Sequence, residues 1–175
     1  MNSLQKMFPS LALFSDLDWD AVTQEYEASY IDHTFPEYLQ QKALDDDCPP
    51  YLFEIAYYEQ ALWDVQKSEA PFPYKQGLYL NPTALFLRLE FDVVQMLKDA
   101  QTGKIEVQEK EHILCVFRDP KDLVHAIELD ETSLQILSHL EEGAQPDYDF
   151  ITPAQQRRFD YLVSLGLVLD MIRDN

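Results

Sequence analysis

The residues able to do chemistry here are four histidines, His33, His112, His125 and His139, two cysteines, Cys48 and Cys115, and thirty-two carboxylates. A metal site requires several such groups to converge, and in sequence that shows as characteristic spacing. There is no His-x-x-His pair and no H-E-x-x-H. His112 falls at the far end of the first strand of an expected hairpin and His125 near the turn on the second. A simple register does not set them opposite each other, so both read as surface or packed histidines. The Asp45–Asp47 run lacks the spacing and turn glycine of a calcium loop and reads as solvated. Glu54 and Glu59 are not spaced i, i+4, and with so many acids accidental pairs are unavoidable. No G-x-S-x-G elbow is present, and the four glycines form neither G-x-G-x-x-G nor a Walker sequence. Cys48 could act as a nucleophile only beside a base, and the carboxylates next to it raise its pKa instead. The expectation is no catalytic residue and no metal ligand in this chain.

What the sequence does concentrate is aromatic surface. Tyr51, Phe53, Tyr57, Tyr58 and Trp63 ring most of one helix. Tyrosine is enriched at the cores of protein interfaces, so such a helix serves its own domain, a partner, or both.

Charge narrows the partners. Thirteen Lys and Arg stand against thirty-two Asp and Glu, a net charge of −19. Nucleic acid is a polyanion bound by displacing its counterions, and the densest basic sequence here is Arg157-Arg158. No nucleic-acid partner is expected; a basic protein partner suits the charge better. Apolar residues make up 46%, with ten Phe, ten Tyr and two Trp, enough for a packed core. Two isolated cysteines in different contexts suggest a reduced, cytoplasmic setting rather than a disulfide framework. The N-terminus does not read as a signal peptide and no apolar run approaches a membrane span, so no membrane association is expected.

The elements follow from periodicity and punctuation. Asp16 or Asp18 caps a helix over about 19–30, with Trp19, Val22, Tyr26 and Tyr30 as its apolar stripe. Pro36 opens a second helix to about Leu44, broken by Asp45-Asp46-Asp47-Cys48-Pro49-Pro50. The longest helix spans about 51–67, with Leu52, Ile55, Ala56, Glu59, Leu62, Trp63 and Gln66 on one face. Glu59 on that face requires a partner. Pro71 and Pro73 mark a boundary between a helical domain, 1–73, and an α+β module, 74–175. Leu78-Tyr79-Leu80 reads as a short strand. The segment from Thr83 to Phe91 reads as a buried strand or as the start of a helix reaching Ala100, with strand then helix preferred. His112–Arg118 and Leu123–Leu129 form a hairpin across a Pro-containing turn. Asp130 or Thr132 opens a helix with Leu134, Leu137 and Leu140 inward and Gly143 past its end. Thr152-Pro153 opens another, ended by Gly166, before a last strand at Leu167-Val168-Leu169. The expected fold class is α+β: an N-terminal helical domain followed by a small winged-helix-like module with a β-hairpin.

Three stretches, Phe35-Pro36-x-Tyr38-Leu39, Pro50-Tyr51-Leu52-x-x-Ile55-Ala56-x-x-Glu59-x-Ala61 and Leu80-Asn81-Pro82, together with the hairpin ending Phe117-Arg118-Asp119, resemble one family. It comprises the MbnC/HvfC-like partner subunits of multinuclear non-haem iron oxidative enzymes, formerly labelled DNA-binding. The likeness covers about 20–130. The chain departs from longer members in having no Tyr-Arg-x-Asn-like element, and resembles the compact, methanobactin-type branch in this.

The resemblance implies a non-catalytic subunit forming a heterodimer with a TIM-barrel (MbnB-like) iron enzyme, whose iron ligands belong to the enzyme. The complex would oxidise cysteines of a ribosomally made (MbnA-like) precursor peptide, giving oxazolone and thioamide groups in the methanobactin branch. On that reading Tyr51, Tyr57, Tyr58 and Glu59 are the partner-binding candidates. Ile113, Cys115, Val124 and Ile127 are the candidates around strands that could accept a leader peptide as an added strand. Ordinary core packing accounts for each apolar one equally well. The alternative is a transcriptional regulator using the second module as a winged helix, which would require a basic helix over Ala154–Leu165.

Overall fold

The computed structural model describes residues 3–14, 18–29, 33–73, 76–104, 106–141 and 152–171. The α+β class holds: helices dominate the N-terminal part, and strands enter from Leu78 onward. The helices are α1 (Ser3–Met7), α2 (Trp19–Ala28), α3 (Phe35–Leu44), α4 (Pro50–Lys67), α5 (Val93–Gln101), α6 (Glu131–Glu141) and α7 (Pro153–Leu165), with a 3-10 helix at Pro9–Leu13. The strands are β1 (Leu78–Leu80), β2 (Leu85–Phe91), β3 (Glu109–Arg118), β4 (Val124–Leu129) and β5 (Val168–Asp170). β1 pairs antiparallel with β5, and a three-stranded sheet runs β2-β3-β4. Two compact units emerge, 1–63 with 88–112 and 64–87 with 113–175, so the division falls inside α4, β2 and β3. The sequence expectation placed a single boundary after Pro73.

In the first unit Asp18 accepts the Ala21 amide at 3.1 Å and so caps α2. Asp16 and Tyr30 lie outside the described residues. Thr34 precedes α3, and Glu37 reaches back to its amide at 2.7 Å, the reciprocal contact of a capping box. The Phe35 ring then gathers Phe8, Tyr26 and Trp19 at 5.1, 5.2 and 5.6 Å. Helix α4 is buried more widely than a single stripe: Tyr51, Leu52, Ile55, Ala56, Tyr58 and Ala61 are all inside, whereas Gln66 is exposed. Such a helix lies within a core rather than on its surface.

The second unit packs Cys115 and Phe117 of β3 and Leu129 of β4 against Ile136, Leu137 and Leu140 of α6 and Phe159 and Leu162 of α7. The segment after Thr83 is a strand followed by a helix, as preferred from sequence. Asp130 opens α6 by accepting the Ser133 amide at 2.7 Å; Gly143 lies outside the described residues. Thr152 caps α7. Gly166 ends that helix at φ +79, where a Cβ would come within 2.9 Å of Pro120. Both the left-handed backbone and the close approach exclude a side chain there.

Asn81 ties these parts together. Its side chain is 1% exposed and donates to the carbonyls of Arg118 and Gly166, each at 2.8 Å. Its oxygen accepts the Thr83 amide at 2.9 Å and the Thr83 hydroxyl at 2.7 Å. The Thr83 hydroxyl in turn accepts the Arg118 amide at 2.9 Å. All four hydrogen-bonding positions of the amide are used. Asn81→Ala leaves the Gly166 carbonyl and the Thr83 amide without their partner, while the Thr83 hydroxyl still reaches the Arg118 carbonyl at 3.3 Å. Each orphaned buried group costs about 1–3 kcal/mol, so a loss of roughly 2 kcal/mol or more is expected in urea denaturation. An unchanged midpoint would show that the network contributes little.

Candidate functional site

A site that holds a peptide by strand addition needs an open strand edge, and a site that holds a protein needs exposed anchors. Among the described residues the hairpin supplies an outer strand, β4, whose Glu128 carbonyl accepts from Arg158 at 3.4 Å. β3 and β4 pair antiparallel from Ile113↔Leu129 to Arg118↔Val124. β3 is central, with β2 on its other side, so its backbone is engaged along both flanks and β4 is an outer strand. Val124 through Ile127 are all half-buried, neither sealed in the core nor projecting freely.

One side chain shapes the hairpin turn. Asp119, buried, accepts the amides of Lys121 and Leu123 at 2.8 and 2.9 Å through Oδ1, and Oδ2 lies 3.0 Å from His125 Nε2. Desolvation opposes its charge, but His125 and the two amides hold the carboxyl below its ordinary value. The His125 ring stacks on Phe117 at 5.2 Å. The register places His125 opposite Phe117, while His112 lies just before the paired stretch. Arg118 donates to the Ser68 carbonyl at 2.7 Å, fastening the end of β3 to the chain that leaves α4.

The eight sequence-derived candidates thus divide. Val124 and Ile127 lie on the outer strand β4; Ile113 and Cys115 lie on the central strand β3, Cys115 fully buried. On α4, Tyr57 is 46% exposed, whereas Tyr51, Tyr58 and Glu59 are buried at 5%, 9% and 7%. Tyr51 packs on Phe14 and Phe91 at 5.6 and 6.1 Å. Glu59 has the partner its position demanded, accepting the Ser10 amide at 3.1 Å, while its Oε2 is buried without one.

Glu54 was passed over in sequence and turns out to be structural. It is 3% exposed and accepts the Glu90 amide at 2.9 Å and the Phe91 amide at 3.1 Å, closing the end of β2. The available signal was an acid set between Phe53 and Ile55 on an apolar helix. Neither cysteine is set up for nucleophilic chemistry. Burial raises the Cys48 thiol, with Asp47 adding to this and Lys42 opposing it, and burial alone pushes Cys115 up to about 12. Among the described residues no three His, Cys, Asp or Glu side chains are grouped to hold a metal ion. No helix among them is long and apolar enough to cross a membrane.

Residues 81–156 match the family model of the HvfC C-terminal domain. The match is under half the chain and supports the HvfC/MbnC-like resemblance over this part. It begins at Asn81 itself and takes in Thr83, the hairpin and α6. No curated protein matches the chain.

Two outcomes follow. Burial raises the Glu59 carboxyl above its ordinary 4.5, so its contribution to stability is full below that value and falls as pH rises through the raised one. Glu59→Gln is neutral throughout; relative to the parent it is therefore expected to be more stable at pH 7 than at pH 4, as read by urea midpoints at both. A difference that stays constant with pH would contradict this. In a thiol titration with Ellman's reagent, the native chain should leave Cys115 unmodified until denaturant is added, and Cys48→Ser should abolish the native reaction.

Proposed function

We propose that this chain is a non-catalytic partner subunit of an iron-dependent peptide-modifying oxidase. It forms a heterodimer with a TIM-barrel multinuclear iron enzyme and helps to hold the leader of a ribosomal precursor peptide whose cysteines are oxidised. The observation that carries the reading is the match of 81–156 to the HvfC C-terminal domain. The iron belongs to the partner. Conversion of cysteines to oxazolone and thioamide groups, as in the methanobactin branch, is the reaction proposed for the complex, and copper acquisition is the purpose proposed for that product.

Within this reading the outer strand β4 takes the leader, with Val124 and Ile127 beside it. Backbone groups on a strand edge supply affinity, and alternating side chains supply selectivity. Ile113 and Cys115 support that strand from β3. Tyr57 is the exposed anchor for the enzyme, while Tyr51, Tyr58 and Glu59 hold the helix that presents it. The net charge of −19 favours a basic leader and speeds its encounter.

The regulator alternative is disfavoured by α7. Arg158 donates to Ser133 Oγ at 2.6 Å, lies 3.4 Å from Asp130 and covers the Tyr161 ring at 5.0 Å. That leaves Arg157 as the exposed cation on this helix, beside the acid Asp160. A recognition helix needs several cations facing the phosphates.

Reconstitution tests the reading. Oxidation of the precursor peptide should be lost when this chain is omitted, and turnover by the iron enzyme alone at undiminished rate would sink the proposal. Tyr57→Ala should weaken the heterodimer about tenfold, as expected of an interface anchor. Val124→Lys should leave the heterodimer intact and weaken leader binding by about the same factor. A Val124→Lys complex that binds leader normally would remove β4 from the site.

A further inference from the structure

The phase of the β3–β4 pairing decides which backbone groups of β4 face outward. The Asp119 amide donates to the Leu123 carbonyl at 2.9 Å, and the register runs on through Arg118↔Val124 and Phe117↔His125 to Ile113↔Leu129 without a bulge. Opposed residues of an antiparallel pair alternate between exchanging hydrogen bonds and turning away from each other. His125, Ile127 and Leu129 therefore bond to β3, while Val124, Ala126 and Glu128 turn their N–H and C=O groups to the outer side. Two contacts fix the same phase independently. The Arg118 amide, opposite Val124, goes to Thr83 Oγ1 at 2.9 Å, and the Glu128 carbonyl accepts from Arg158 Nη2 at 3.4 Å. The backbone groups of Val124 and Ala126 have no such partner among the described residues.

Native strand edges are blunted by charges, a proline or a bulge. β2, the other outer strand of this sheet, is treated in this way: Arg88 and Glu90 are exposed on it, and Glu54 takes the amides at its end. The stretch Val124-His125-Ala126 carries no lysine, proline or bulge. At Glu128 the edge closes. Arg158 donates to Ser133 Oγ at 2.6 Å and lies 3.4 Å from Asp130, so its guanidinium holds a fixed place beside the Glu128 carbonyl.

We infer that Arg158 is a positioning residue that sets the register of the peptide on β4: an antiparallel, extended segment pairs with Val124 and Ala126 alone and leaves the edge before Glu128. The inference rests on the strand-addition reading above and gives the segment a chemistry. Two of its residues, spaced i and i+2, exchange hydrogen bonds with Val124 and Ala126, so neither is proline. Their side chains share the face of Val124 and Ala126, which suits small apolar groups, and the residue between them lies on the face of His125.

A tethered strand tests this on the full chain, because tethering reads the footprint and not the affinity. Leu123, 57% exposed at the turn, is changed by Leu123→Cys in a Cys48→Ser background, Cys115 being fully buried. The probe is acetyl-(Thr-Val)3-Gly-Gly-Cys amide, joined by a disulfide so that it runs antiparallel to β4. Cross-strand amide–amide NOEs from the 15N-labelled chain should reach Val124 and Ala126 and stop there. Exchange of those two amides should slow at least about tenfold on tethering. In Arg158→Gln the NOEs should extend to Glu128. NOEs to Glu128 in the parent, or the same footprint in Arg158→Gln, would overturn the inference and leave strand addition standing. The parent footprint alone can refute it, even where Arg158→Gln does not fold. No NOE to any β4 amide would overturn strand addition together with the inference, whereas the partner-subunit reading falls only in the reconstitution above.

Discussion

The second unit depends on one buried primary amide. Asn81 sits where the chain passes from β1 to β2, and through four hydrogen bonds it reaches the end of β3, the turn after α7 and its own loop. A loop can enter a core only if its backbone groups find partners there. Asn is suited to this because it offers two donors and two acceptor positions in one short, planar side chain. The Asn81 backbone amide adds a bond to the Leu167 carbonyl at 2.9 Å, next to the β1–β5 pairing. With the loop fixed, Gly166 can approach Pro120, and the hairpin turn shaped by Asp119 acquires a defined neighbour.

Glu54 does the corresponding work in the first unit with a charge instead of a dipole. Its carboxylate collects two amides at the end of β2. Two influences compete on it. Burial favours the neutral acid, and the amides of Glu90 and Phe91 favour the anion. Burial wins, since the carboxyl is held above its ordinary value. The arrangement survives because an orphaned strand end would cost more than a strained carboxylate: each unmade buried bond is worth about 1–3 kcal/mol. In each unit, then, a polar side chain closes the backbone at a place where sheet pairing runs out.

These two residues also mark the limit of what the sequence disclosed. Helices with caps and breakers were legible, because Asp18, Pro36, Thr152-Pro153 and Gly166 act locally. The hairpin and the strand before α5 were legible from the change of period. The Thr34-x-x-Glu37 box was readable and overlooked. Long-range closure was not readable. Nothing near Glu54 in sequence announces Glu90, and the value of Asn81 depends on Arg118 and Gly166, far along the chain. Which hairpin strand is outer depends likewise on where β2 docks. Hence Ile113 and Cys115 looked equivalent to Val124 and Ile127 until the sheet order separated them.

The distribution of charge connects the fold to its proposed role. In the second unit two arginines are spent internally: Arg118 on Ser68, Arg158 on Ser133 and Asp130. Asp130 has its carboxyl lowered by Ser133 and Arg158 against desolvation, and it starts α6 while anchoring α7. A cation committed this way cannot also answer a phosphate, because removing it would leave buried partners unmatched. In the first unit Lys42 is similarly held, its ammonium raised to about 12 chiefly by Glu25. These three cations thus serve to join elements, and the net charge of −19 leaves the balance acidic. Such a surface repels polyanions and attracts basic protein segments. It is the physical ground on which a protein partner is a better expectation for this fold than a nucleic acid.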